Sequence, residues 1–224
     1  MEPQYEILSN TFKTLINPNA RLRKLGDGYL WAEGTTWVPD SAEAGGGYLL
    51  WSDIPNDRML RWSESDGTTI FRQPCGYTNG HTLDRENRLV SAEHGGRRIS
   101  RTELDGTVVN LVDNYEGKKL NSPNDLIVKS DGSIWFTDPP YGILSDRQGH
   151  KADSELGANY VFRFWPDNGT IEIMIDDFDM PNGIAFSPDE SILYVADTGY
   201  ELDSPEASIH AFDASSSGTL SNHR

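Results

Sequence analysis

Asn79-Gly-His-Thr-Leu-Asp84, followed after one turn by Arg88-Leu-Val-Ser-Ala-Glu93, is the stretch whose reading decides the fold. An amide residue and a glycine open a strand-like run, and a second run closes on a carboxylate. The same pair recurs on both sides. Upstream stand Glu33-Gly34 before Thr-Thr-Trp-Val-Pro-Asp40, then Tyr48-Leu-Leu-Trp-Ser-Asp53. Downstream come Asn124-Asp125 before Leu-Ile-Val with Ile134-Trp-Phe-Thr-Asp138, and Asn182-Gly183 before Ile-Ala-Phe with Leu193-Tyr-Val-Ala-Asp197. The first elements lie 46, 45 and 58 residues apart (79−33, 124−79, 182−124), the second 40, 45 and 59 (93−53, 138−93, 197−138). Two registers drifting together at roughly 40–50 residues describe the four-stranded blades of a β-propeller.

The turn chemistry agrees. Asp66-Gly67, Asp105-Gly106, Asp131-Gly132 and Asn168-Gly169 supply the positive φ that two-residue hairpin turns demand. Alternating runs such as Met59-Leu-Arg-Trp62 and Tyr160-Val-Phe-Arg-Phe164 flank them. No stretch carries convincing helical spacing. The expectation is an all-β chain, a single propeller domain over residues 1–224 with blades beginning near 33, 79, 124 and 182. Ala20-Arg-Leu-Arg-Lys-Leu25 alternates enough for an edge strand. The third repeat is longer by a loop over 139–158, placed either as a substrate lid or as surface decoration. The fourth carries its excess at Tyr200–Glu206. Ile209-His-Ala-Phe-Asp213 reads as a third strand, after which the sequence turns and stops at Arg224. A propeller closes its ring to remove blade edges, so the sequence reads as C-terminally truncated.

Composition narrows the function. With 19 Lys and Arg against 35 Asp and Glu, the formal charge is −16. That balance excludes nucleic acid as a partner, which needs basic stripes, and argues against an anionic membrane surface. Apolar residues are 36%, with 21 Gly and 12 Pro, as suits many short strands joined by turns. The lone Cys75 rules out a disulfide framework and a thiolate metal site. The N-terminus has no basic or apolar leader, and no run approaches a membrane span. A cytoplasmic location is expected.

Quasi-equivalent positions in a propeller converge on its axis, so Glu33, Asn79, Asn124 and Asn182 would bring one carboxylate and three amides together. Hard oxygen donors of this kind suit one divalent cation, calcium first, with zinc, magnesium or manganese as alternatives. Glu33, Asn124 and Asn182 are the candidate metal ligands. Asn79, His81, Asn124 and Tyr141 are the candidate substrate contacts, His81 because it shares a strand face with Asn79. The acids of the second register, Asp53, Glu93, Asp138 and Asp197, end strands away from the axis and are read as bonding to nearby backbone. His94 beside Gly95-Gly96 is read as a loop residue, and Asn168-Gly-Thr170 as a turn rather than a glycosylation site. No Gly-x-Ser-x-Gly elbow, Walker loop or His-Glu-x-x-His motif occurs.

Trp31-Ala-Glu-Gly-Thr-Thr-Trp37, Asn79-Gly-His-Thr-Leu-Asp84, Glu93-His-Gly-Gly-Arg-Arg98, Ser122-Pro-Asn-Asp-Leu126, Trp135-Phe-Thr-Asp-Pro-Pro-Tyr-Gly142 and Met180-Pro-Asn-Gly-Ile-Ala-Phe-Ser-Pro-Asp189 together resemble the gluconolactonase/regucalcin (senescence marker protein) family, over about residues 18–213. The resemblance implies a six-bladed propeller, of which about four blades are present, with a divalent metal in the central channel and a small lactone as substrate. It implies that Glu33 and Asn182 bind the metal, with Asn124 beside them binding metal or substrate. The family's catalytic Asp, in a Pro-Asp-Gly motif of the fifth blade, would lie beyond Arg224. The regucalcin branch carries an Arg where Ser122 stands here, so lactone contacts differ. Alternatives are a phosphotriesterase-like hydrolase on the same propeller and a non-catalytic calcium-binding scaffold.

Overall fold

The structure, a computed structural model, describes residues 6–17, 20–199 and 207–224. The excess expected at Tyr200–Glu206 lies outside them. The repeat forms as four antiparallel four-stranded meanders. Blade 1 is β1 (Ala32–Pro39), β2 (Gly47–Asp53), β3 (Arg58–Ser63) and β4 (Gly67–Arg72); blade 2 is β5 (Thr78–Leu83), β6 (Leu89–Glu93), β7 (Arg98–Thr102) and β8 (Val108–Val112). A short hairpin of β9 (Asn114–Tyr115) and β10 (Lys118–Lys119) leads to blade 3. That blade comprises β11 (Leu126–Val128), β12 (Ile134–Asp138), β13 (Tyr160–Trp165) and β14 (Thr170–Ile175). Blade 4 is β15 (Pro181–Phe186), β16 (Ile192–Asp197), β17 (Ser208–Ala214) and β18 (Leu220–Ser221). The innermost strands β1, β5, β11 and β15 are neighbours in that order.

Successive blades are welded by apolar side chains from facing sheets. Leu50, Met59, Cys75 and Leu89 fill the seam between blades 1 and 2. Val90, Ile99, Leu126, Ile134, Phe136 and Phe162 fill the next seam, and Trp135, Val161, Ile184, Leu193, Val195 and Phe212 the third. Strand β12 shows why its sequence reads as an unbroken apolar run. Ile134 and Phe136 face blade 2 while Trp135 faces blade 4, so both faces are buried. The far face of blade 4 leaves Tyr194 39% and Ile209 74% exposed.

Two expectations change here. Residues 20–25 form no strand. Side chains hold this segment across blade 1 instead: Thr68 Oγ1 donates to the Leu25 carbonyl at 3.1 Å, and Arg23 lies over Trp62. The Asp-Gly and Asn-Gly turns are also longer than two-residue turns. Only the glycines, Gly67, Gly106, Gly132 and Gly169, are left-handed, with φ of 66–89°, while the preceding Asp or Asn is not. The described helices are single turns, α1 (Phe12–Leu15) and α2 (Tyr141–Leu144), and none is long and apolar enough to cross a membrane.

Candidate active site

The acids of the second register decide where the axial residues sit. Asp53 accepts from the backbone N–H groups of Leu30 (2.9 Å) and Trp31 (3.1 Å). Asp138 accepts from Asn121 and Ser122, both at 2.8 Å, and Asp197 from Asp179 (2.9 Å) and Met180 (2.8 Å). In each blade the axial residue, Glu33, Asn124 or Asn182, comes two positions after the clamped dipeptide. Blade 2 reaches the same end differently. Glu93 is occupied by Arg98 (2.8 and 3.1 Å), and Asp57 of blade 1 clamps Cys75 (3.1 Å) and Tyr77 (2.7 Å), two positions before Asn79. Carboxylates bonded to backbone N–H are strong, directional anchors. Burial alone pushes Asp138 up to about 7, against the pull of its two N–H donors.

The second residue of each axial motif sets how closely the inner strands approach. Gly34 has φ +63°, and a Cβ there would lie 1.7 Å from the Asn79 carbonyl oxygen. A Cβ on Gly80 would lie 2.5 Å from Asp125 Oδ1. Asp125 therefore occupies room that its glycine counterparts leave empty. Its Oδ2 accepts from the Ile184 N–H at 3.1 Å, tying blade 3 to blade 4. Gly80 N–H donates to the Asn124 carbonyl at 2.8 Å, tying blade 2 to blade 3. Burial raises the Asp125 carboxyl, and the nearby Glu33 charge adds to the rise.

Glu33, Asn79, Asn124, Asn182 and Tyr141 line one cavity of about 390 Å³, with Trp31, Leu144, Gln148, Met180 and Thr198. Glu33 Oε1 accepts from Trp31 Nε1 at 3.1 Å. The Tyr141 hydroxyl bonds Thr198 Oγ1 and accepts from Asn182 Nδ2 at 3.5 Å. The loop over 139–158 forms a wall of this cavity. Ser122 Oγ donates to the Pro139 carbonyl (2.6 Å) and accepts from Gly142 N–H (2.8 Å), Ser154 Oγ donates to Asn121, and Lys119 N–H to Glu155. These bonds brace the loop against the segment 119–122 that leads into blade 3.

His81 is the one candidate the structure does not bring to the cavity. Its Nε2 and Nδ1 are taken by the Ser52 and Ser91 hydroxyls, each at 2.8 Å, so it stitches blade 1 to blade 2 with no ring nitrogen left for substrate. Burial lowers its pKa from 6.5 to about 3. Between those values the unfolded chain holds a proton that the fold does not, so acidification removes stability, by about 2 kcal/mol at pH 5. Asp138 works in the opposite sense between 3.8 and about 7. The measurement is therefore a difference. Denaturant melts at pH 5 and 7.5 should show a larger acid loss in the wild type than in His81→Gln, and equal losses would reject the neutral, buried histidine.

Sequence reading missed His94. It is 1% exposed, and Nε2 lies 3.3 Å from Asn79 Nδ2 and 3.4 Å from Asn124 Nδ2, while Nδ1 lies 3.2 Å from the Gln148 carbonyl oxygen. Burial lowers its pKa to about 4, although the Gln148 carbonyl favours the charged ring. Its partners lie 15, 30 and 54 residues away, so no local pattern announces it. Among the described residues no three His, Cys, Asp or Glu cluster to hold a metal. The cavity instead offers one carboxylate among amides, a donor set that fits a hard divalent cation and poorly fits a soft one.

The sequence model of the family described as SMP-30/Gluconolactonase/LRE-like region matches residues 31–224. The chain belongs to this family. A gluconolactonase of Zymomonas mobilis is 35% identical over an alignment of 201 residues that covers 82% of this chain and 53% of that protein. The lactonohydrolase oryL of Aspergillus oryzae is 35% identical over 96 residues, 43% of this chain and 21% of that protein. A gluconolactonase structure from Xanthomonas campestris superposes with a TM-score of 0.80 at 43% identity, covering 89% of this chain and 63% of that one. The chain thus spans about half the length of the curated gluconolactonase it matches.

Proposed function

We propose that the whole protein is a metal-dependent hydrolase that opens a sugar lactone. The observation that carries this reading is the meeting of Glu33, Asn79, Asn124 and Asn182, from one register of four blades, in a single cavity. Family membership and the gluconolactonase and lactonohydrolase relatives support it. Glu33, Asn124 and Asn182 would hold one divalent ion, calcium by the hardness of the donors. That ion, when bound, supplies Lewis acidity to the lactone carbonyl and charge stabilisation to the oxyanion formed as water attacks. Asn79, Asn124 and Tyr141 would orient the ring oxygens, while Trp31, Leu144 and Met180 give the cavity an apolar side. The reading includes a ring of six blades in the whole protein, with the proton-accepting Asp in the fifth. The relative lengths and the exposed far face of blade 4 support that extension.

The test follows acid release from gluconolactone in a pH-stat. Turnover above the uncatalysed rate, lost with chelator and restored by calcium, is expected of the whole protein. Preference for a phosphotriester would move the assignment to that hydrolase class, and calcium binding without turnover of either would leave a scaffold. Tyr141→Phe is a finer probe, since it removes one hydroxyl and little volume. It is expected to raise KM about 3- to 10-fold, the worth of one hydrogen bond near 1 kcal/mol, with Tm almost unchanged. An unaltered KM would remove Tyr141 from the substrate contacts.

A further inference from the structure

We infer that His94 is a positioning residue that turns the side-chain oxygens of Asn79 and Asn124 toward the cavity. The inference rests on the functional reading above for its use, and on hydrogen-bond chemistry for its substance. A carbonyl oxygen only accepts, so His94 Nδ1, 3.2 Å from the Gln148 carbonyl, carries the proton. Nε2 is then left with a lone pair. The atoms facing it at 3.3 and 3.4 Å are the Nδ2 groups of Asn79 and Asn124. An amide can present either its NH₂ or its oxygen to a neighbour, and only the NH₂ can meet a lone pair. One ring nitrogen therefore fixes the orientation of two amides on two blades. Neither Oδ1 takes a hydrogen bond from another described residue, which leaves both as electron-pair donors in the cavity their residues line. The opposite tautomer would set two acceptors against each other at Gln148 and turn both NH₂ groups inward, making a site for anions.

The loop over 139–158 holds the ring in this state. It supplies the Gln148 carbonyl, and Gly142 lies so close that a Cβ there would be 2.5 Å from His94 Cβ and 2.9 Å from its Cγ. This gives the third repeat's extra length a use: the cavity wall it builds also fixes a tautomer.

The test uses the full chain without metal or lactone, then with calcium chloride. Nitrogen-15 spectra of the histidine rings should show a protonated Nδ1 and an unprotonated Nε2 for His94. The Asn79 and Asn124 NH₂ resonances should exchange slowly and shift together in His94→Phe. In calorimetric titration His94→Phe should weaken calcium binding about 10–100-fold, as losses of a ligand's orienting partner do. His94→Gln should recover most of this, because its Oε1 can accept from the same two amides. A protonated Nε2 in the wild-type spectrum overturns the inference whether or not any variant folds. So does wild-type affinity in His94→Phe, or a His94→Gln as weak as His94→Phe at equal Tm. If the wild type binds no calcium, the metal reading fails, and the spectra alone decide the role of His94.

Discussion

Glu33→Gln is expected to weaken calcium binding in the whole protein about 100-fold or more and to bring lactone turnover to background. Glu33 is the carboxylate that lines the cavity, and the other axial donors are neutral amides. Two unit charges about 4 Å apart attract by about 4 kcal/mol at the effective dielectric of a protein surface, and a divalent ion doubles that. Removing the charge while keeping the shape forfeits most of it, after allowance for the desolvation that Gln no longer costs. Asp53→Asn is the matched control. Asp53 is buried against Arg58 (2.8 Å) and the N–H groups of Leu30 and Trp31, so its loss should lower Tm far more than Glu33→Gln does. Its effect on calcium affinity should be the smaller of the two. Equal losses of affinity in calorimetry would reject the assignment of Glu33 to the axis.

Gly34→Ala is expected to destabilise the fold by about 3 kcal/mol and to abolish activity with it. Two costs add: about 1–2 kcal/mol for an L-residue at a left-handed φ, and about 1–3 kcal/mol for a methyl forced against packed backbone. The obstacle at 1.7 Å is the Asn79 carbonyl, which cannot rotate aside as a side chain would. Blade 1 must move away from blade 2, carrying Glu33 from Asn79. Gly106→Ala separates the two costs, because Gly106 has φ +85° with nothing within 4 Å of its missing Cβ. It should lose only the conformational part and keep its activity. If urea melts show Gly34→Ala no weaker than Gly106→Ala, the close approach of β1 to β5 is wrong.

The repeat was legible because blades repeat both chemistry and spacing. Asn79-Gly80 to Glu93 and its three counterparts mark inner strands and strand ends, and the inner strands bring Glu33, Asn79, Asn124 and Asn182 to one place. What stayed hidden depends on which partner meets which. Asn79 and His81 share a strand, yet Asn79 reaches the cavity while Ser52 and Ser91 absorb His81. His94 looked like a loop residue because its three partners come from β5, from the start of blade 3 and from the long loop. The Arg-Leu-Arg-Lys alternation at 21–24 carries the period of a strand but belongs to none of the sheets of the described residues. Periodicity reports a local preference, and pairing is a property of the whole chain.

The packing of Asp125 against Gly80 and beside Gly183 has a consequence for how such a molecule can change. Four similar units look interchangeable, as copies made by duplication would be. At the axis they are not. A second copy of the third unit in the place of the second would set an Asp where Gly80 now yields room, its Cβ alone 2.5 Å from Asp125 Oδ1. A second copy of the second in the place of the third would leave a void and an unanswered Ile184 N–H. Each unit is thus keyed to its seat. Shuffling or recombination of whole blades between relatives should succeed only where the incoming inner strand matches its predecessor at this one position.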